Sequence, residues 1–147
     1  MYSKEEAKLI KQEFWTTFAK QFPKKWILFN TKIKDFVLKF EIDHKIAKVG
    51  IEITTQDPNL KLIYFQKLES LKSILEENFV KDCIFEYNYT LETGKKIAKI
   101  YVILENININ NKNNWEMIFN FFNENMSGFE NFFLEHEDYI KDLSWNT

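Results

Sequence analysis

Apolar and polar residues alternate along residues 36–53 (FVLKFEIDHKIAKVGIEI) and again along residues 83–104 (CIFEYNYTLETGKKIAKIYVIL). Both stretches resume with Lys-Ile-Ala-Lys on their second arm. Period-two alternation sends successive side chains to opposite faces of a strand, so each stretch reads as a β-hairpin. In the first, Phe36, Leu38, Phe40 and Ile42 share a face with Ala47, Val49, Ile51 and Ile53, and Asp43-His44 marks the turn. In the second, Phe85, Tyr87, Tyr89 and Leu91 lie against Ala98, Ile100, Val102 and Leu104, while Glu86 and Asn88 mark the wet side. Its tip, Glu92 to Lys95, contains the glycine that a tight turn favours.

Helical spacing surrounds the hairpins. Ala7, Ile10, Phe14, Trp15, Phe18 and Phe22 predict a helix from Ser3 to about Gln21, with Ser3 and Glu6 in capping-box positions and Pro23 beyond its end. Leu60, Tyr64, Leu68, Leu71, Leu75 and Phe79 predict a second, started by Asp57-Pro58 and running to about Asn78. Trp26 to Phe29 is a short apolar run, a strand or a plug over the core edge. The Asn-rich stretch from Glu105 to Asn114 reads as a strand end passing into a loop. A third helix from about Asn114 to Asn125 carries Trp115, Ile118, Phe119 and Phe122. Ser127-Gly128 is expected to break it before a last helix with Phe129, Phe132, Phe133, Tyr139 and Ile140.

Two hairpins predict an antiparallel sheet of at least four strands with helices packed on one face. The expected class is α+β, in the order α-β-β-α-β-β-α-α, with residues 1–147 as a single domain. Helices one and two carry stripes suited to covering the sheet. The repeated hairpin predicts halves related by an approximate twofold.

Composition narrows the possible functions. The chain has 147 residues, 45% hydrophobic and 17% aromatic, enough to bury a substantial core. All twenty basic residues are lysine, and the formal net charge is -2. Without arginine the usual bidentate reader of guanine and phosphate is missing, and no overall field draws in a polyanion, so nucleic-acid binding is disfavoured. The single cysteine, Cys83, excludes an internal disulfide or a cysteine-cluster zinc site. Neither a signal-like leader nor a membrane-length apolar run is present, which predicts a cytoplasmic protein with no membrane association.

No catalytic pattern is complete. Asp43 and Glu52 have the separation of two magnesium-binding carboxylates in a restriction-type nuclease, but Glu52 is followed by Ile53-Thr54, without the required lysine. His44 and His136 have no partner at ligand spacing, and the Glu135-His136-Glu137-Asp138 run fans around a helix. Gly50, Gly94 and Gly128 are isolated and form no phosphate-cradling loop. No catalytic residue, metal site or cofactor is therefore expected.

The segments Glu13-Phe14-Trp15-Thr16-Thr17-Phe18, Trp26 to Lys34 and Val49-Gly50-Ile51-Glu52-Ile53, followed by Glu76 or Glu77 and Trp115, resemble an uncharacterised bacterial domain family. Its members often follow a restriction-nuclease-like domain, which these 147 residues do not include. The resemblance spans about Glu13 to Phe133 and implies a bacterial, intracellular setting linked to restriction or phage defence.

The expected function is a non-catalytic interaction module working through a protein partner or as a homodimer. Its expected anchors are Trp115, Phe121 and Phe129 of the aromatic tail. The alternative is a nucleic-acid-binding or nuclease-associated domain using Lys32, Lys34, Lys39 and Lys48 on or beside the first hairpin.

Overall fold

A computed structural model describes residues 3–143. The elements are α1 (Lys4–Gln21), β1 (Phe36–Ile42), β2 (Ala47–Ile53), α2 (Pro58–Ser70), α3 (Lys72–Asn78), β3 (Ile84–Thr90), β4 (Lys96–Leu104) and α4 (Trp115–Lys141), the last preceded by a short 3-10 turn. This is the α+β class, with a four-stranded antiparallel sheet ordered β1-β2-β4-β3. Phe14 and Phe18 of α1, Leu68 of α2 and most apolar residues of α4 are buried in the core with the odd-numbered face of β2.

Local chemistry accounts for the boundaries. Ser3 accepts the Glu6 amide at 3.1 Å at the start of α1, and Asp57 accepts the Asn59 amide at 2.9 Å at the start of α2. Asp43 Oδ1 accepts the amides of Lys45 and Ile46, closing the first hairpin without a glycine. Gly94 sits at a φ of 88° in the second hairpin tip, a conformation natural to glycine. In the Asn-rich connection Ile107 and Ile109 are buried, and Asn108, Asn111 and Asn114 side chains accept nearby backbone amides.

The β2–β4 register carries the sequence repeat. Equating the two Lys-Ile-Ala-Lys runs matches Ala47 with Ala98 and Ile53 with Leu104. The pair Ala47–Leu104 then becomes Ala98–Ile53, and Val49–Val102 becomes Ile100–Ile51; all four pairs are present. The hairpins are thus related by a twofold in topology and register, with Gly50 opposite Tyr101 at its centre.

The chain departs from the sequence pattern in four places. A bulge between Glu86 and Tyr89 of β3 shifts the register and turns Tyr89 away from Phe85 and Tyr87, onto the face of Lys99 and Tyr101. The second helix divides at Leu71 into α2 and α3, where Ser70 Oγ bonds the Lys67 carbonyl at 2.6 Å and competes with the helix ladder. The tail is one helix of 27 residues, unbroken at Ser127-Gly128. Finally, α4 rather than α1 or α2 contributes the longest row of buried side chains.

Gly128 has a packing reason. A Cβ there would lie 2.5 Å from the Phe79 carbonyl oxygen and 2.7 Å from Val80 Cγ2, so glycine lets α4 press against the end of α3. The helix propensity lost to glycine is only about 1 kcal/mol, less than the burial of the stripe on either side provides. Gly128→Ala is expected to destabilise by about 1–3 kcal/mol through overpacking, read as a lower urea midpoint at unchanged m-value.

Candidate interaction site

The C-terminal half of α1, the segment from Phe22 to Phe29 and the edge strand β1 enclose a groove of about 600 Å³. Its wall is aromatic. Trp26 stacks on Phe18 at 6.3 Å and meets Phe40 edge-on at 5.5 Å, and Trp15 lies 6.0 Å from Phe40. Phe122 of α4 stands behind these rings, stacked on Trp15 at 5.6 Å. The charged residues lining the groove are Lys24, Lys25 and Lys39, with no acidic side chain among them. Phe29, at its rim, is 77% exposed.

The connecting segment is held in a strained path. Leu28, Lys32 and Asp35 have φ values of 45°, 63° and 60°, left-handed conformations that non-glycine residues avoid. Such strain persists where surrounding contacts fix it. Here buried Glu130 of α4 accepts the Ile27 amide at 2.6 Å and pairs with Lys24 at 3.0 Å. Thr31 Oγ1 donates to the Phe36 carbonyl at 2.6 Å, and Leu28 accepts the Leu38 amide at 3.0 Å.

Those last bonds show which way β1 points. The Leu38 amide and the Phe36 carbonyl face away from β2, so by strand periodicity the polar groups of Phe40 do too. The 28–31 segment covers the outer edge of β1 up to Leu38. Beyond it, no hydrogen bond between the outer backbone of Phe40 and another described residue is present. A second hollow, of about 650 Å³, continues past this stretch and shares Trp15, Lys39 and Phe40 with the groove.

The sheet face away from the helices holds a polar network. Lys99, 1% exposed, lies 2.8 Å from Glu52, which is 3% exposed, and also pairs with Glu41. Lys48 donates to Tyr89 Oη at 2.6 Å, and Tyr101 donates to Glu86. Burial, reinforced by nearby Lys39, pushes the Lys99 amine down to about 7; burial pushes the Glu52 carboxyl up against the pull of Lys39 and Lys48. Gly50 leaves room for β4 here, since a Cβ would come within 2.6 Å of Tyr101 Cβ.

The sequence-predicted residues fall on different sides of the molecule. Trp115 is buried, its Nε1 donating to the Ile109 carbonyl at 2.6 Å, and Phe129 is fully buried; both belong to the core. Phe121 is half-buried and lines a shallow hollow with Leu104 and Met117. Lys39 and Lys48 share the polar sheet face, with Lys39 3.8 Å from Glu52. Lys34 lines a small hollow with Lys39 and Phe29, and Lys32 is exposed on the preceding turn. Asp43 is engaged in the hairpin turn and Glu52 in the lysine pair, so the two carboxylates do not converge. Among the described residues, no three His, Cys, Asp or Glu side chains are placed to hold a metal ion.

Trp15, Phe29 and Phe40 entered the sequence pattern only as structural positions and Lys25 not at all, so none of the four was expected at a site. Phe29 carried a signal: an apolar run after two lysines, outside any helical or strand period. Cys83 is half-buried, and its thiol donates to the Val80 carbonyl at 3.4 Å. Burial, with Glu76 and Asp82 nearby, pushes it up to about 12. Because the thiolate is the nucleophile, alkylation of Cys83 by iodoacetamide at mildly alkaline pH is expected to run at least about tenfold slower than that of an exposed cysteine peptide. An equal rate would mean that the thiol is not held as described.

Fold and site together define a small α+β domain with an aromatic, lysine-rimmed groove beside an open strand edge. Residues 10–137 match the family described as Domain of unknown function (DUF4268), and the chain belongs to that family. No curated protein and no solved structure matches the chain. No helix among the described residues is long and apolar enough to cross a membrane.

Proposed function

We propose that the domain is a non-catalytic interaction module of the bacterial cytoplasm that docks a protein partner in the α1–β1 groove, in the setting of a restriction or phage-defence system. The observation that carries this reading is the groove itself: an aromatic hollow with Phe29 exposed at its rim. Large aromatic side chains at the mouth of a pocket are the usual anchors of protein interfaces. Because Trp115 and Phe129 are buried, the proposed docking surface is the groove rather than those two tail residues. The nucleic-acid reading ranks second, because Glu41, Glu52 and Glu86 offset Lys39, Lys48 and Lys99 on the sheet face.

Affinity capture from the native bacterium with the wild-type chain and with Phe29→Asp tests it. Phe29 is exposed, so the change leaves the melting temperature within about 2 °C while removing the partner. A restriction or defence component recovered by the wild type alone supports the reading. The same partners recovered by both chains would refute the groove as their site.

A further inference from the structure

We propose that the outer face of the first half of α4 is a second docking surface, and that its occupant is a basic amphipathic helix of another protein. This face shares no residue with the α1–β1 groove, so it stands apart from the reading above.

Trp115, Ile118, Phe119 and Phe122 turn one side of α4 into the core. Helical spacing leaves two rows on the opposite side: Glu116, Asn120 and Glu124 in one, Met117 and Phe121 in the next. With Leu104 at the end of β4 these side chains line a hollow of about 570 Å³. Met117 is 47% exposed and Phe121 half-buried, so two apolar side chains one turn apart are open to solvent. The charged residues lining the hollow are Glu116 and Glu124, both exposed. Neither is in an ion pair with another described residue, whereas Lys24 and Lys39 of the groove are held by Glu130 and Glu52. The charge of this face is therefore of one sign and unmatched within the chain.

That charge selects the occupant. A second copy laid antiparallel on the face about its middle would set the Glu116 of each chain against the Glu124 of the other, like charge on like. An extended segment would find no strand edge to join, because β4 lies between β2 and β3 in the sheet. A helix can lay its own ridge along the i, i+4 rows of α4. Two apolar residues one turn apart on that helix meet Met117 and Phe121. Lysines or arginines two turns apart, about 12 Å by helical rise, meet Glu116 and Glu124.

The test is the fluorescence anisotropy of labelled peptides titrated with the full chain. KLAKLAKKLAKLAK is compared with its acidic counterpart ELAELAEELAELAE and with KSAKSAKKSAKSAK, which keeps the charge without the apolar stripe. A fourth peptide, KLAKLAPKLAKLAK, cannot form an unbroken helix. At least about tenfold tighter binding of the first peptide than of each control is expected. Met117→Ser is expected to weaken it at least about fivefold, and Glu116→Lys with Glu124→Lys to shift the preference to the acidic peptide. All three positions are exposed, so the melting temperature stays within about 2 °C. Phe29→Asp is expected to bind the peptide as the wild type does. Equal binding of the serine peptide would show attraction by charge alone and overturn the docking surface. Equal binding of the proline peptide would overturn the helical occupant. Binding that survives the changes in α4, or is lost with Phe29→Asp, would place the peptide elsewhere and overturn the proposal, as would no binding at millimolar peptide.

Discussion

Lys99→Met is expected to cost about 3–5 kcal/mol of stability in urea unfolding at neutral pH, because it leaves the buried Glu52 without its closest cation. The lysine is a poor choice for stability in isolation, since its amine is taken out of water between Tyr89 and Tyr101. Its removal alone is worse, because Glu52 stays buried and Glu41 loses the same partner. Lys99→Met combined with Glu52→Gln is therefore expected to recover more than half of the loss. If the double variant is as unstable as the single one, the two residues do not act as an energetic unit.

The same pair gives a pH signature. In the unfolded chain Lys99 holds its proton up to about 10.5, whereas in the folded domain it releases it near 7. Between those values the unfolded state binds more protons, so this group makes stability rise as pH rises from about 7 to about 9. Above that range Cys83 and Tyr101, both raised in the folded state, act in the opposite sense. The difference between wild type and the double variant isolates the Lys99–Glu52 contribution. Curves that stay parallel from neutral to mildly alkaline pH would show that the folded domain keeps Lys99 charged.

Phe122→Ala is expected to cost about 3–5 kcal/mol as well, by the different route of a cavity in a close-packed core. Phe122 is fully buried and meets the rings of Phe14, Trp15, Phe18 and Phe40. Three of those rings form the groove wall, so the substitution should also weaken partner capture where the variant remains folded. Half-buried Phe121, one residue away, should cost about 1 kcal/mol when changed to alanine. Similar midpoints for the two variants would place the core elsewhere than behind the groove.

The fold was legible because its signals were periodic. The alternation of β1, β2 and β4 assigned each residue to its face, and Ser3, Pro23, Asp57 and Pro58 marked helix ends through local chemistry that tertiary packing had no reason to override. The division of α2 from α3 is local, at Ser70, whereas the misread role of Gly128 depended on a neighbour distant in sequence. Gly128 looked like a helix breaker until Phe79 lay against it. Tyr89 looked like core until the bulge turned it.

Lys99 was readable in hindsight. Its strand, KIAKIYVIL, has apolar residues on both faces, with Ile97, Tyr101 and Ile103 alongside it, which is the pattern of a strand buried on both sides. The groove was harder to see. It is made by a segment with no periodicity, held by Glu130 from more than a hundred residues away, and no local rule points there.

The twofold pairing of β2 with β4 also limits how the chain can assemble with itself. At its centre one hairpin carries Gly50 and the other Tyr101, and the backbones approach so closely that a Cβ in place of the glycine would sit 2.3 Å from the Ile100 carbonyl oxygen. Two first hairpins meeting in this register would face glycine with glycine and leave a gap; two second hairpins would face tyrosine with tyrosine and collide. Only the unlike pair fits. In that register the glycine of one hairpin receives the tyrosine of the other, a complement that neither hairpin offers to its own copy.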